Sequence, residues 1–282
     1  MSFMTGPKRT KFDVEPGTAS PLDVAASLAD RETLQMVAEA LRLRRMRLAF
    51  QPAVYAADTS IIGFYEGFIR LLDNRDHVIP ARDFIGAVER QELGREIDCA
   101  ALQMGLMTLQ RNPGLRVAVN MSARSVGYRN WNDTLRKALK QSPDLGARLI
   151  LEINEASAMA VPDVLLPFMQ EMRQTGIVFS LDDFGAGITS LQLLRDFRFE
   201  IAKIDGRFSR DIDRNVDNQP LVRSAIAVAK QFGMFLVAEA VETEAEANWL
   251  RDAGVGCLQG YLFAAPTVTP DFSAFRNGRA AG

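Results

Sequence analysis

Along the chain, short apolar runs rich in β-branched and aromatic residues alternate with longer stretches whose apolar positions recur every three or four residues. The first pattern predicts buried strands and the second amphipathic helices. Strands are expected at 47–54, 61–70, 116–120, 148–155, 177–183, 200–205, 234–239 and 256–263. Between them, helices are expected from Asp30, over 82–91, 95–111 and 131–140, from Pro162 toward Gly176, from Thr189, from Pro220 to Gly233 and from Thr243 to Gly254. Thr243 with Glu246 three residues later has the spacing of a capping box. Strand alternating with helix calls for a parallel sheet closed or covered by helices. Eight strands with their helices in about 240 residues fit a TIM-type (β/α)8 barrel. The first two strands are joined only by Ala56-Ala57-Asp58-Thr59 and so form a hairpin, which makes the first strand antiparallel.

The polar residues that interrupt this pattern fall at or near the ends of the apolar runs: Glu66, Asn120, Glu152, Asp182 with Asp183, Lys203, Glu239 and Gln259. Any one of them could be a strand-to-loop transition, and the Asp182-Asp183 pair could simply cap a turn. Repeated on strand after strand, they are the residues that a barrel delivers to its catalytic mouth. Adjacent carboxylates push each other toward protonation unless a cation lies between them. Successive strand residues face opposite ways, so both aspartates can serve one site only where the strand ends.

Composition narrows the chemistry. With 282 residues and a net charge of −2 the chain suits a globular protein with no overall pull toward a nucleic-acid polymer. No apolar run is long enough to span a bilayer, and the N-terminus lacks the apolar core of a signal peptide. The two cysteines, Cys99 and Cys257, lie in apolar settings, as buried thiols of a cytoplasmic protein would. The single histidine, His77, sits in a polar loop and rules out multi-histidine zinc sites. Oxygen ligands without histidine or thiolate select Mg²⁺ or Mn²⁺. Two such ions can clamp the attacking and leaving oxygens of a phosphodiester, and a lysine among the carboxylates can hold the attacking water. The residues therefore point to metal-assisted hydrolysis of a phosphate ester.

From about residue 30 to 270 the chain resembles the EAL-type cyclic di-GMP phosphodiesterases, bacterial signalling enzymes that open cyclic di-GMP to linear pGpG. The resemblance is carried by Phe50-Gln51-Pro52, Glu66-Gly67-Phe68-Ile69-Arg70, Val119-Asn120-Met121-Ser122, Leu151-Glu152-Ile153-Asn154-Glu155, Asp182-Asp183-Phe184-Gly185-Ala186-Gly187, Lys203-Ile204-Asp205, Ala238-Glu239-Ala240-Val241-Glu242-Thr243 and Gln259-Gly260-Tyr261-Leu262-Phe263. It implies an EAL-type barrel over 29–272, a flexible leader over 1–28 and a flexible tail over 273–282. Glu66, Asn120, Glu152 and Asp182 are the ligands it implies for a first Mg²⁺ or Mn²⁺ ion, with Asp182 and Asp183 on a second. Lys203 would contact the catalytic water and Glu239 would act as base or water orienter. Gln51, Phe68, Arg70, Asp205, Glu242 and Gln259 would meet the substrate, Gln259 also supporting Glu239. Glu155 would anchor the loop after Asp183, which places the second ion and helps to form a homodimer. A protein partner would supply the input signal.

The chain also departs from the family pattern. The Glu-Ala-Leu that names the family is Glu66-Gly67-Phe68 here. Ala186 replaces the usual threonine of the metal loop, Ile188 the usual aromatic, and Ala240 a common glycine. No ligand is lost. The altered loop is the feature that would suit a catalytically weak receptor of cyclic di-GMP acting through a protein partner.

Overall fold

The computed structural model describes residues 21–73, 75–187, 190–273 and 275. Its strands are β1 (Met46–Tyr55), β2 (Ile62–Leu72), β3 (Val78–Pro80), β4 (Val117–Asn120), β5 (Leu149–Asn154), β6 (Val178–Phe184), β7 (Ile201–Ile204), β8 (Phe235–Ala238) and β9 (Cys257–Leu258). All but β3 close into a barrel in the order β1-β9-β8-β7-β6-β5-β4-β2, with β2 returning to pair with β1. β1 is antiparallel to both of its neighbours, while the remaining barrel pairs are parallel. The TIM-type barrel with a reversed first strand is thus the fold of this chain.

Three local expectations are corrected. The first helix covers Pro21–Arg42 and starts before Asp30, so residues 21–28 are not an unstructured leader. The last strand is only Cys257–Leu258, because the backbone turns at Gly260, where a Cβ would stand 2.0 Å from the Val241 carbonyl oxygen. β3, not anticipated, extends the far end of β2 through Arg70↔Pro80, Leu71↔Ile79 and Leu72↔Val78. The leader over 1–20, the end of the tail beyond Phe275, and Ile188 and Thr189 lie outside the described residues.

The seam between β1 and β9 is short, limited to Val54↔Leu258 and Tyr55↔Cys257. Pro52, which has no N–H to give, falls where that seam has already opened. Two residues further out, Phe50 N–H finds the Thr267 carbonyl at 2.8 Å. Outside the barrel the helices bury the outward strand faces, with Trp131, Phe168 and Phe179 packed edge to face at 5.7 and 6.0 Å between centroids. The helix Glu244–Ala253 starts on the expected capping box between Thr243 and Glu246.

Inside, the barrel is closed by one apolar side chain from each strand. Ala53, Phe64, Ala118, Ile150, Ile201, Val237 and Cys257 form a cluster, and Val178 packs against it. This layer is the floor on which the mouth rests; Phe64 is the aromatic within it, and Tyr55 packs against it. Phe64→Ala is expected to lower stability by about 3–5 kcal/mol, the usual cost of emptying an aromatic site in a rigid core. Urea unfolding monitored by circular dichroism checks it; a loss below about 1 kcal/mol would mean that the floor does not carry the barrel.

Candidate active site

Two residues beyond each apolar floor position, toward the mouth, the strands carry Gln51, Glu66, Asn120, Glu152, Ser180, Lys203, Glu239 and Gln259. For β1 the step runs backward along the chain, because that strand is reversed. A two-residue step preserves the inward face, so an entirely polar layer lies directly on an apolar one.

Lys203 is at its centre and has no exposed surface. Its Nζ lies 2.6 Å from Glu66 Oε2, 3.1 Å from Glu152 Oε2, 2.5 Å from Glu239 Oε1 and 3.6 Å from Asp182 Oδ1. The Asn120 amide donates to Glu66 Oε1 at 2.7 Å and the Gln259 amide to Glu66 Oε2 at 3.1 Å. Gln51 donates to the Ala264 carbonyl at 2.8 Å, tying the layer to the segment beyond β9.

One ammonium cannot balance this many carboxylates, and the electrostatics show it. Burial disfavours the charge on Lys203, yet Asp182, Glu152, Glu239 and Glu66 together hold its pKa well above that of an ordinary lysine. Burial would also raise Glu66, but Lys203 and the Asn120 amide overcome it, and Glu66 is held below the usual carboxylate range. Glu152 is pushed well above that range by burial and by Glu66. Asp182 is pushed up to about 6 and Glu239 to about 8, in both cases first by burial and then by neighbouring carboxylates that oppose Lys203.

Asp182 and Asp183 reach the mouth by a bulge and not because β6 ends there. The register of β6 on β7 slips between Leu181 and Phe184, and pairing resumes at Phe184↔Ile204. The two aspartates therefore stand opposite the single residue Lys203, and Asp183 takes a left-handed backbone with φ 56°. The Asn154 amide donates to Asp183 Oδ2 at 2.7 Å. Glu155, almost fully buried, accepts the Gly185 N–H at 3.2 Å and so holds the loop that follows.

The donor set suits hard divalent cations. Glu152 Oε1 and Asp182 Oδ1 are buried oxygens without a hydrogen-bond donor, and the surrounding negative charge exceeds what Lys203 supplies. Around the ammonium, the described His, Cys, Asp and Glu side chains do not already converge as a three-ligand cage. Metal binding would therefore turn some of these oxygens away from Lys203.

Two cavities open beside the polar layer. One of about 260 Å³ gathers Gln51, Phe68, Arg70, Glu239, Glu242 and Gln259, and adds Arg210 and Tyr261. The Arg70 guanidinium lies over the Phe68 ring, 5.5 Å from its centroid. The other, of about 500 Å³, is bordered by Asn120, Ser122, Asn154, Asp182 and Asp183. Asp205 lines neither of them: it caps the short helix Gly206–Ser209 and pairs with Arg207 at 2.9 Å. Sequence reasoning missed Ser180, Asn154, Arg210 and Tyr261. Ser180 and Asn154 could have been found by the two-residue step, Ser180 from Val178 and Asn154 from Glu152; Arg210 carried no signal.

An acidic, incompletely neutralised mouth resting on an apolar floor is a cation-suited site on a TIM-type scaffold. The chain belongs to the EAL domain family, whose model matches residues 34–266. It is 31% identical over 243 residues to "Cyclic di-GMP phosphodiesterase NbdA" of Pseudomonas aeruginosa, covering 83% of this chain and 31% of that protein. It is also 31% identical over 205 residues to "Cyclic di-GMP phosphodiesterase PdeR" of Escherichia coli, covering 71% of this chain and 31% of that one. The chain thus spans about a third of the length of these relatives. Among solved structures, "PaMucR Phosphodiesterase, c-di-GMP complex" matches with a TM-score of 0.74 at 28% identity, covering 84% of this chain and 97% of that one. The FimX EAL domain from Pseudomonas aeruginosa shares the fold, with a TM-score of 0.77 at 23% identity over 86% of this chain and 99% of that one.

Two outcomes are expected of the site's supports. Ala240, beside Glu239, has φ 54°, a conformation that glycine adopts without cost. Ala240→Gly is expected to stabilise the fold by about 0.5–1 kcal/mol in urea melts, the gain from relieving a left-handed alanine; destabilisation would show that the methyl contact outweighs the strain. The second concerns Asp98, which accepts the Ser122 N–H at 2.8 Å and the Ser125 hydroxyl at 2.6 Å. Burial pushes its pKa up to about 6 despite those bonds. The folded protein then holds this proton more tightly than the unfolded chain. Its contribution to stability is complete below about pH 4 and fades as the pH rises through about 6. The stability advantage of the native protein over Asp98→Asn should accordingly shrink between about pH 4.5 and 7 in parallel urea titrations. A difference independent of pH would refute the assignment.

Proposed function

We propose that this domain, over about residues 29–272, hydrolyses cyclic di-GMP to linear pGpG and so lowers that second messenger in bacterial signalling. The observation that carries the reading is the buried Lys203 held among Glu66, Glu152 and Glu239, next to a cavity walled by Arg70 and Phe68. Membership of the EAL domain family and the names of its relatives support it.

Glu66, Asn120, Glu152 and Asp182 would hold a first Mg²⁺ or Mn²⁺ ion, and Asp182 with Asp183 a second. When bound, such ions supply Lewis-acid polarisation of the phosphodiester and a readily deprotonated water. The chain's own residues do the rest. Lys203 holds the attacking water through Nζ–H and keeps its oxygen lone pair directed at phosphorus. Glu239, partly open to the cavity and 2.5 Å from Lys203 Nζ, takes the proton at its carboxylate oxygen once bound cations have relieved the surrounding negative charge. Arg70 meets a phosphate with its planar fork, and Phe68 offers a face to a guanine. Gln51, Glu242 and Gln259 complete the wall, and Gln259 steadies the layer through Glu66. Glu155 sets the loop that follows Asp183.

No helix among the described residues is long and apolar enough to cross a membrane. We place the domain in the cytoplasm as a homodimer that takes its input from a protein partner. The test is purified protein with cyclic di-GMP and Mg²⁺ or Mn²⁺, followed for pGpG by chromatography. Turnover should be lost on metal removal. It should fall about 10²–10⁴-fold in Glu239→Gln, the range for deleting a general base. Asp182→Ala should fold and be inactive; undiminished turnover in that variant would refute the two-ion site. Tight binding with no pGpG at saturating Mn²⁺ would instead assign a receptor, the outcome that Ala186 in the metal loop favours.

A further inference from the structure

Glu246 lines no part of the smaller cavity and is nearly fully buried. As the third residue of the helix Glu244–Ala253, it completes the capping box with Thr243, whose hydroxyl accepts the Glu246 N–H at 3.2 Å. The box uses one carboxylate oxygen: Oε2 accepts the N–H groups of Glu242 at 2.8 Å and Thr243 at 2.9 Å. The other oxygen reaches away from the helix, and Oε1 accepts the Asp211 N–H at 2.7 Å from the loop after β7. Asp211 is a non-glycine residue with φ 54°, a conformation that persists only when its surroundings hold it.

The residues next to these anchored amides are the ones that face the cavity. Arg210 precedes Asp211, and Glu242 precedes Thr243. Their side chains approach each other at 3.5 Å, and both line the cavity that Arg70 also lines. One carboxylate therefore fixes the two loops that bring a cation and an anion together at the cavity wall.

We propose that Glu246 is a positioning residue for the substrate cavity, acting through Arg210 and Glu242 by bracing the loops after β7 and β8 against each other. The inference rests on the phosphodiesterase reading for its substrate. A capping box alone is served equally by glutamine, which has one acceptor oxygen. A brace between two loops needs both oxygens as acceptors, and the amide of a glutamine would turn N–H donors toward an N–H. Glu246→Gln thus keeps size and cap while releasing one loop.

The experiment compares native protein, Glu246→Gln, Arg210→Ala and the double variant. Steady-state cleavage of cyclic di-GMP with Mn²⁺ is measured, with hydrogen exchange at the Asp211, Glu242 and Thr243 amides. Glu246→Gln is expected to raise KM about tenfold, the effect of losing a charge-assisted hydrogen bond, and to leave kcat within about twofold. Exchange should quicken at the released Asp211 amide and stay slow at the capped Glu242 and Thr243 amides. Arg210→Ala should raise KM to a similar degree, and the double variant should be no worse than Arg210→Ala, because both changes act through one element. Additive effects, a loss confined to kcat, or an unchanged KM in either folded single variant overturns the proposal. Should Glu246→Gln fail to fold, an unchanged KM in Arg210→Ala is enough to overturn it. Unchanged exchange in Glu246→Gln refutes the brace whether or not the protein is active. Native protein that neither binds nor cleaves cyclic di-GMP refutes the functional reading instead, and exchange still decides the brace.

Discussion

The whole mouth depends on a single buried ammonium. Lys203 comes from the middle of the parallel sheet and meets carboxylates delivered by β2, β5, the β6 bulge and the end of β8. A buried lysine without partners would lose its charge, and buried carboxylates without a cation would take up protons. Each side keeps the other ionised, but incompletely, because acids outnumber the base. That residual imbalance separates a cation site from a structural ion-pair network, since balanced networks have no electrostatic demand left to satisfy.

The barrel makes this arrangement tolerable by stacking it on a dry floor. The Phe64 and Ile150 layer keeps water from entering below, so the polar layer is solvated from one side only. The reversed β1 contributes to both layers with Ala53 and Gln51, entering them in the opposite chain order from its neighbours. Three irregularities of the backbone fall at the mouth. The β6 bulge, the left-handed Asp183 and the left-handed Ala240 all lie within the polar rim, where backbone regularity yields to side-chain placement.

Much of this was legible in the chain. The alternation of strand and helix fixes the barrel, and the short Ala56–Thr59 connection gives away the reversed strand, because both depend on local periodicity. Glu66, Glu152 and Lys203 were visible as polar breaks in apolar runs. Ser180 was not, since a serine in a strand is unremarked until its face is known. The bulge escaped notice because a register slip belongs to a pair of strands and leaves no mark on either alone. Arg210 and Tyr261 come from loops whose paths are set by tertiary contacts. Asp205 carries the family motif, but its own neighbour Arg207 has taken its carboxylate, a local competition that motif spacing does not register.

The close approach of the loops after β7 and β8 also constrains how the site can change over evolutionary time. A Cβ at Gly206 would stand 2.6 Å from the Ala240 Cβ, too close for both side chains to coexist. The two positions are therefore not independent: any side chain at 206 is barred until 240 has become glycine, whereas 240 can change first without obstruction. Lineages that carry the alanine are committed to glycine at 206, and the order of substitution, more than the chemistry of either residue, determines which sequences can be reached from this one.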